Sequence, residues 1–251
     1  NLFMGFTFSH PALILPVRCL PRKTYSMNGL IAGSMIPDLE YFMRLDNVST
    51  FSHNFWGVFL YDIPAALLVL TIYHQLLREQ LIKNLPPFVK TRMTRFMNFN
   101  WPAYLRKNWI VVIYSLIIGI FTHLFWDGFT SGNGSFVVNN ETMETQLTVF
   151  NTELYIYKII KHLSSFIATV ALFIFFFRLP KEKDVPTQSE RFYWISIFVV
   201  AAAISSLQVI TYYSHISLNQ LIKKIVSSTL LAIFVISFYY KMNSKIRNTS
   251  G

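Results

Sequence analysis

Cysteine and charged residues are both scarce in this chain of 251 residues. Cys19 is the single cysteine, which excludes an internal disulfide and a cysteine-based zinc cluster. Charged side chains make up 14% of the residues, whereas an ordinary soluble domain carries about 25%. Hydrophobic residues make up 53% and aromatic residues 17%. This balance excludes an ordinary soluble protein and indicates a membrane protein.

Acids are the scarcer charge, because 12 Asp and Glu stand against 22 Lys and Arg, for a formal net charge of +10. An excess of this kind can serve to bind nucleic acid. Here the basic residues cluster between apolar segments, where Lys and Arg fix the orientation of a membrane protein and contact anionic lipid. We therefore expect no nucleic-acid partner and expect anionic lipid at the basic loop 78–107. The sequence indicates no particular protein partner.

Long apolar segments are abundant, and a helix needs about 20 such residues to cross a bilayer. Two shorter apolar stretches, 11–20 and 27–43, are predicted to form short helices that pack on the bundle or re-enter the membrane. The predicted fold class is therefore all-α, a polytopic membrane helical bundle with five transmembrane helices and two short N-terminal helices. The predicted spans are 55–77, 109–126, 156–177, 192–212 and 216–240.

One integral-membrane domain, 1–251, accounts for the whole chain. It divides into an N-terminal motif region, 1–54, core spans that carry further motifs, 55–177, and a C-terminal helix pair, 192–240. The first residues lack the basic, apolar and small-residue regions of a signal peptide, so we expect the spans themselves to drive insertion.

Loop charges predict the orientation of the bundle. The loop 78–107 and the segment 178–191 are basic, whereas the loop 128–155 has three Glu and no Lys or Arg. The positive-inside rule then places the basic loops and the carboxyl terminus in the cytoplasm, and the motif residues toward the extracytoplasmic side. Arg18, Arg22 and Lys23 conflict with this orientation, unless the chain between His10 and Asp38 dips into the membrane and returns.

Histidines and acids recur beside the apolar segments, and ionisable groups near hydrocarbon are functional by default. Imidazole and carboxylate are also the ligands of zinc and similar ions. His123 and Asp127 are spaced i, i+4, so both fall on one helix face about 6 Å apart; a hydrogen bond between helices is the alternative. The sequence predicts a site for a divalent metal, most simply zinc, with one or two ions. Its predicted ligands are His10, Asp38, His53, His123 and Asp127.

Two further sets of residues are predicted to assist the metal. Asp38 and Glu40 are candidate catalytic residues, because one carboxylate can bind the ion while the other orients a ligand or acts as general base. A solvated turn is the alternative. Asp62, His162 and Lys158 are candidates for second-sphere or substrate contacts. Their alternatives are a hydrogen bond to backbone freed by a proline for Asp62, and interfacial snorkelling for His162 and Lys158.

The motifs Phe6-Thr7-Phe8-Ser9-His10-Pro11, Pro37-Asp38-Leu39-Glu40, Ser52-His53 and His123 through Asp127 resemble those of an uncharacterised bacterial family of integral-membrane proteins. The resemblance covers about residues 4–175. These motifs are similar to those of predicted membrane-bound metal-dependent hydrolases, which are distantly similar to zinc-dependent phospholipase C. The resemblance implies that His10, Asp38, His53, His123 and Asp127 bind metal, and that the protein lies in the bacterial inner membrane. Glu40 stands where the hydrolase pattern usually has Asp.

These observations favour a membrane-embedded metal-dependent hydrolase that acts on a phosphoester, such as a lipid or lipid-linked headgroup, at the extracytoplasmic face. A metal ion there lowers the pKa of water toward 7. One alternative is a non-catalytic scaffold or partner-complex subunit, held by a structural metal or a polar network. A metal or proton transporter is a third class, for which Asp62 and Lys223 give thin support.

Overall fold

The computed structural model of the chain is a bundle of long helices, which confirms the predicted all-α class. It describes residues 7–45, 51–149, 152–183, 185, 191–211 and 217–249. Within these residues the only strands are β1 (Gln146–Val149) and β2 (Thr152–Tyr155), which pair as an antiparallel hairpin. Among the described residues, five helices are long and apolar enough to cross a membrane, and they fit a multi-pass membrane protein. They are Phe55–Asn84, Trp101–Val138, Ile156–Phe177, Arg191–Thr211 and Leu218–Ser244.

The first two of these helices extend beyond the predicted apolar segments. The first continues from the predicted end at Leu77 to Asn84, and the second begins at Trp101 rather than at Trp109. Polar residues explain the earlier start, because the Asn100 side chain accepts a hydrogen bond from the Ala103 N–H at 3.1 Å and caps the helix. The predicted ends Tyr212 and Ile216, and the motif residues 4–6, lie outside the described residues.

The first long helix alternates between α-helical and π-helical turns. Its π-helical segments are Val58–Asp62 and Tyr73–Leu77. Pro64 follows the first of them, and a proline has no N–H to donate to the preceding turn. A π-helical turn in an α-helix often marks a functional position. The α-helical segments are α3 (Phe55–Gly57), α4 (Ile63–Ile72) and α5 (Arg78–Asn84).

The remaining helices follow in chain order. Short helices connect the spans, and α8 follows directly after α7 at the same end of the bundle. The helices are α6 (Pro87–Met93), α7 (Trp101–Thr130), α8 (Ser135–Val138), α9 (Ile156–Phe177), α10 (Arg191–Thr211) and α11 (Leu218–Thr249). We call the end of the bundle where α7 finishes and α9 begins the motif end, and the other end the opposite end.

An N-terminal hairpin of short helices precedes the spans. Local signals fix two of its helix boundaries. The Ser26 side chain caps the start of α1, and Leu45 has a left-handed φ of 58° at the end of α2. The hairpin consists of 3₁₀ helices Thr7–Cys19 and Arg22–Thr24, α1 (Met27–Gly33), a 3₁₀ turn Ile36–Asp38 and α2 (Leu39–Arg44).

This hairpin dips along the bundle and returns. It starts at the motif end, where His10 lies 3.6 Å from Asp127. The Arg18 guanidinium lies 4.5 Å from the centre of the Phe175 ring, which is about 28 Å along α9 from its first residue at 1.5 Å per residue. The chain then turns, and α1 runs back along α7 toward the motif end. The chain between His10 and Asp38 therefore forms a hairpin along the bundle.

Glycines set the distance between α1 and α7. A Cβ atom at Gly33 would overlap the backbone carbonyl of Leu116, and one at Gly119 would overlap the carbonyl of Leu30. Only glycine lets the two backbones approach this closely. The close approach matters for the site because Ser34, directly after α1, is thereby held against α7.

The C-terminal pair α10 and α11 packs against the rest through polar contacts near the opposite end. The Tyr193 hydroxyl lies 2.7 Å from Ser237 Oγ between the two helices, and the Trp194 indole N–H donates to the Asn84 carbonyl at 2.6 Å. At the motif end, α11 passes beside α2. The pair therefore contacts the first long helix near the opposite end and α2 at the motif end.

Candidate metal centre

Four separate segments bring ionisable side chains together at the motif end. His123 and Asp127 lie on α7, Asp38 ends the 3₁₀ turn before α2, and His53 lies in the loop before α3. One ligand atom from each of these four residues lies within 4.8 Å of the others, so the group could hold a metal ion. His10 adjoins the group from the N-terminal 3₁₀ helix. The structure thus brings together all five residues that the sequence predicts as ligands.

His123 is the most enclosed of these residues, with no exposed surface. Its Nδ1 lies 2.9 Å from the Ser34 carbonyl oxygen, which can only accept a hydrogen bond. Nδ1 therefore carries a proton, and Nε2 is the atom that can bind a metal. A backbone carbonyl that orients a histidine in this way is the usual outer partner of a metal-binding imidazole.

The distances from His123 Nε2 to the two carboxylates fit a small divalent cation. His123 Nε2 lies 3.5 Å from Asp38 Oδ1 and 3.5 Å from Asp127 Oδ2, and it makes no hydrogen bond within the described residues. Two ligands that each bind zinc at about 2.0–2.1 Å in a tetrahedron are about 3.3–3.4 Å apart. The observed separations are therefore too long for good hydrogen bonds and close to those expected between ligands of one ion.

His53 is held in a costly backbone conformation. Its φ of 64° lies in the left-handed region, which residues other than glycine seldom adopt and which is common at functional sites. Its Nδ1 lies 2.8 Å from Ser52 Oγ, and its Nε2 lies 3.5 Å from Asp127 Oδ2. The strained backbone therefore turns the second nitrogen of this ring toward the other ligand atoms.

The Glu40 carboxylate contacts the loop that carries His53. Its carboxylate accepts hydrogen bonds from the Ser52 N–H at 2.8 Å and from the Phe51 N–H at 3.1 Å, and it forms an ion pair with Arg44 at 2.8 Å. It also lies 2.9 Å from the Ser52 hydroxyl. When that hydroxyl donates to Glu40, it accepts from His53 Nδ1. The sequence predicts Glu40 as a metal ligand or a base. In the structure its carboxylate instead contacts the loop of His53 and Arg44, and it is not among the four candidate ligands.

His10 contacts the group through its ring. Its centroid lies 4.1 Å from that of His123 at an interplanar angle of 85°, and its Nε2 is 3.6 Å from Asp127 Oδ1. Burial and the neighbouring His123 lower the pKa of His10 from its ordinary value to about 4. The imidazole of His10 is therefore neutral at pH 7, which is the form that binds metals.

Asp38 is ionised in this setting. Burial alone would raise its pKa, but the adjacent His123 more than offsets that effect and holds the pKa of the carboxyl below its usual value. The carboxylate of Asp38 and the neutral imidazole of His10 are therefore in the protonation states that a divalent cation requires.

Asp62 lies close to the group but is not among its four members. It is fully buried at the end of the first π-helical segment, and neither carboxylate oxygen makes a hydrogen bond within the described residues. Electrostatic interactions connect it with His53 and His123. A buried carboxylate without a hydrogen bond is costly. The position of Asp62 beside the candidate ligands therefore indicates a functional role.

Two predicted substrate-binding residues are elsewhere. His162 lies on an exposed face of α9, and the Lys158 ammonium lies over the rings of Tyr155 and Tyr157, at 4.9 and 5.9 Å from their centres. The structure brings neither into the group of four.

A groove of about 450 Å³ lies on the same end of the bundle, between the end of α7 and the segment after it. The residues that line it include no ionisable side chain, so the groove itself offers no general acid or base. They are Phe129, Ser135, Phe136, Asn139, Asn140 and Met143.

Two residues that contact the candidate ligands were missed from the sequence. The Ser34 carbonyl carries no signal in a sequence, because any residue offers the same oxygen. Tyr41 was visible as a polar residue beside an apolar segment, which is a usable signal. The Tyr41 ring lies 5.3 Å from that of His53, and burial together with the nearby Asp38 raises the pKa of Tyr41 to about 12.

A model of a protein family described as a domain of unknown function, DUF4184, matches residues 4–241. Because the match covers nearly the whole chain, the protein belongs to this family of unknown function. It includes the last two spans, which lie beyond the resemblance seen in the motifs alone. No curated protein and no solved structure matches the chain. The description of the family assigns no activity, so function has to be argued from the site.

Proposed function

We propose that this protein is a metal-dependent hydrolase of the bacterial inner membrane that cleaves a phosphoester in a lipid or lipid-linked headgroup. The observation that carries the proposal is the group of Asp38, His53, His123 and Asp127, whose ligand atoms lie within 4.8 Å of one another. Two imidazoles and two carboxylates are a ligand set suited to zinc or a related divalent ion.

The depth of the site supports a lipid-like substrate. Asp127 is three residues before the end of α7, or about 5 Å from it at 1.5 Å per residue. A site at that depth lies near lipid headgroups if the helix crosses the bilayer. By the positive-inside rule we place this end in the extracytoplasmic leaflet, with the carboxyl terminus and the basic segments facing cytoplasmic anionic lipid.

The residues of the site have separable tasks in this proposal. A divalent ion, when bound, supplies a Lewis acid that activates water and neutralises charge on phosphoryl oxygens. His123, His53 and Asp127 hold the ion, and the His10 ring lies beside His123 and Asp127. Asp38 binds the ion or accepts the proton of the attacking water. Glu40 positions His53 through Ser52, and Asp62 is a buried acceptor for a proton leaving the site.

A structural role for the metal is the second candidate, and one observation favours it. The ligands come from the N-terminal 3₁₀ helix, the turn before α2, the loop before α3 and α7, so an ion would fasten these four segments together. Such an ion would stabilise the fold without any turnover.

One experiment separates the two functions. The purified protein in lipid nanodiscs is analysed for bound metal, and release of phosphate or phosphorylated headgroups from a bacterial lipid extract is followed by ³¹P NMR and mass spectrometry. Hydrolysis that chelation removes and zinc restores supports the enzyme. Bound metal with no turnover of any lipid, together with a lower melting temperature after chelation, supports the structural role. A folded protein that binds no divalent ion contradicts both.

A further inference from the structure

One aromatic ring connects a lysine of the last span with a candidate metal ligand. Lys223 is near the start of α11, and only 2% of its surface is exposed. Its Nζ lies 4.7 Å from the centre of the Tyr41 ring. The same ring lies 5.3 Å from that of His53. One aromatic side chain therefore contacts both the buried ammonium and a candidate metal ligand.

Burial of an ammonium is costly, so a buried lysine within a span is a candidate functional residue. A lysine within a span usually extends its amine to the interface or lines a functional cavity. The Tyr41 face compensates for part of the desolvation through a cation–π contact. That contact fixes the amine beside α2, which carries Tyr41 and follows Asp38.

The charges of the centre leave a use for a nearby cation. The carboxylates of Asp38 and Asp127 would balance the two charges of a divalent ion, and Glu40 is paired with Arg44. An anionic ligand that enters this centre then needs positive charge from outside the ligand set. Lys223 brings a point charge with three N–H donors, which is how lysine usually binds phosphate.

We propose that Lys223 and Tyr41 form the anion subsite of the metal centre, where they hold the non-reacting oxygens of a phosphoryl group. This inference rests on the proposed function and narrows its substrate to an anionic phosphoester. The hydroxyl of Tyr41 can donate a hydrogen bond to the anion. The C-terminal helix pair is then part of the site and not only a membrane anchor.

Binding of inorganic phosphate tests the subsite without any need for turnover. The full-length protein in detergent is loaded with zinc, its metal content is measured, and phosphate is titrated by calorimetry. We expect Lys223→Met to bind phosphate roughly 10–100-fold more weakly, because a hydrogen bond to a charged group is lost, while its zinc content is unchanged. Lys223→Arg keeps the charge and is expected to restore most of the affinity.

Lys158→Met is the matched control, because Lys158 is also a cation near the motif end but lies over Tyr155 and Tyr157. It should bind phosphate as the unchanged protein does. Tyr41→Phe removes only a hydroxyl and provides a second variant if Lys223→Met fails to fold; we expect a several-fold loss of phosphate affinity.

The outcomes distinguish this inference from the proposed function. Zinc-loaded Lys223→Met and Tyr41→Phe variants that bind phosphate with unchanged affinity overturn the subsite. So does a zinc-loaded parent protein that binds no phosphate. A parent protein that binds no zinc contradicts the proposed function, but phosphate binding that Lys223→Met abolishes would still support the subsite.

Discussion

The helices α7 and α9 are similarly apolar, yet they differ in what surrounds them. In the most apolar stretch of the helix that contains α7, 33% of the residues are buried inside the protein, against 0% in α9. His123 on α7 is fully buried among other ionisable groups, whereas His162 on α9 is exposed. Apolarity therefore indicates that a helix can cross a membrane, but the packing around it decides whether its histidine belongs to a site.

Small residues account for the enclosure of α7. Gly119 admits the backbone of α1, and Ser115 accepts a hydrogen bond from the Ser26 N–H at 2.8 Å. On α9 the bulky side chains point outward, as Phe166 and Phe173 do at 68% and 59% exposure. In a bilayer those side chains would contact lipid, which is consistent with a helix that anchors the protein without contributing ligands.

The largest difference is expected between histidine substitutions on the two helices. His123→Ala removes the central ligand and leaves Asp38 and Asp127 facing each other, so bound zinc should fall below detection after purification. His162→Ala on α9 should retain the zinc content of the unchanged protein. Elemental analysis by mass spectrometry measures both. Equal loss of metal in the two variants would remove the distinction between α7 and α9.

The close contact of α1 with α7 is expected to give the next largest effect. Gly33→Val places a side chain against the Leu116 backbone, and overpacking of this kind costs about 1–3 kcal/mol. Because Ser34 would move away from His123, we expect a lower melting temperature and weaker zinc binding together. Ala168→Val on α9 is the control, with little change in either. A Gly33→Val protein that keeps both properties would show that the close approach is dispensable.

Glu40→Gln should have an intermediate effect. The change keeps the size of the side chain but weakens its bonds to the Ser52 N–H and to Arg44, which hold the loop of His53. Loss of an outer partner of a metal ligand typically lowers metal affinity by about 10–100-fold. Competition with a chelator measures this affinity, and Glu153→Gln on the exposed strand β2 is the control. Loss of turnover with normal zinc affinity would instead make Glu40 catalytic.

Ser52→Ala should give the smallest effect. It removes the hydroxyl between Glu40 and His53 but leaves the backbone bond from Ser52 to Glu40. We expect zinc affinity to fall by about tenfold, at the lower end for such partners. Ser164→Ala on α9, whose hydroxyl only donates to the Lys161 carbonyl of its own helix, should leave zinc affinity unchanged. A larger effect from Ser164 than from Ser52 would contradict the proposed support of His53.

Much of this architecture could be predicted from sequence, because the physics involved is local. Apolar length located the five spans, and the spacing of His123 and Asp127 placed both on one helix face. The convergence of His10, Asp38 and His53 was inferred from residue type and the predicted sidedness of the helix ends. That inference succeeded because charged groups near hydrocarbon have few stable places to go.

Other features depend on packing that a sequence does not express. Asp38 and Glu40 are two residues apart in one motif. Asp38 lies among the candidate ligands, whereas Glu40 contacts the loop of His53. The sequence related Lys223 only to a transporter, and its contact with Tyr41 depends on how α11 packs beside α2. Lys158 was predicted as a substrate contact by residue type, and the fold places its ammonium over Tyr155 and Tyr157.

The hydrogen bond from His123 to the main-chain oxygen of residue 34 has a practical consequence. Every amino acid offers that oxygen, so a scan that replaces side chains one at a time would find position 34 tolerant and overlook it as a determinant of the imidazole tautomer. An ester in place of the amide that follows residue 34, introduced by chemical ligation, weakens that acceptor while leaving all side chains intact. Replacement of the backbone amide, rather than of a side chain, is therefore the way to test the role of this carbonyl.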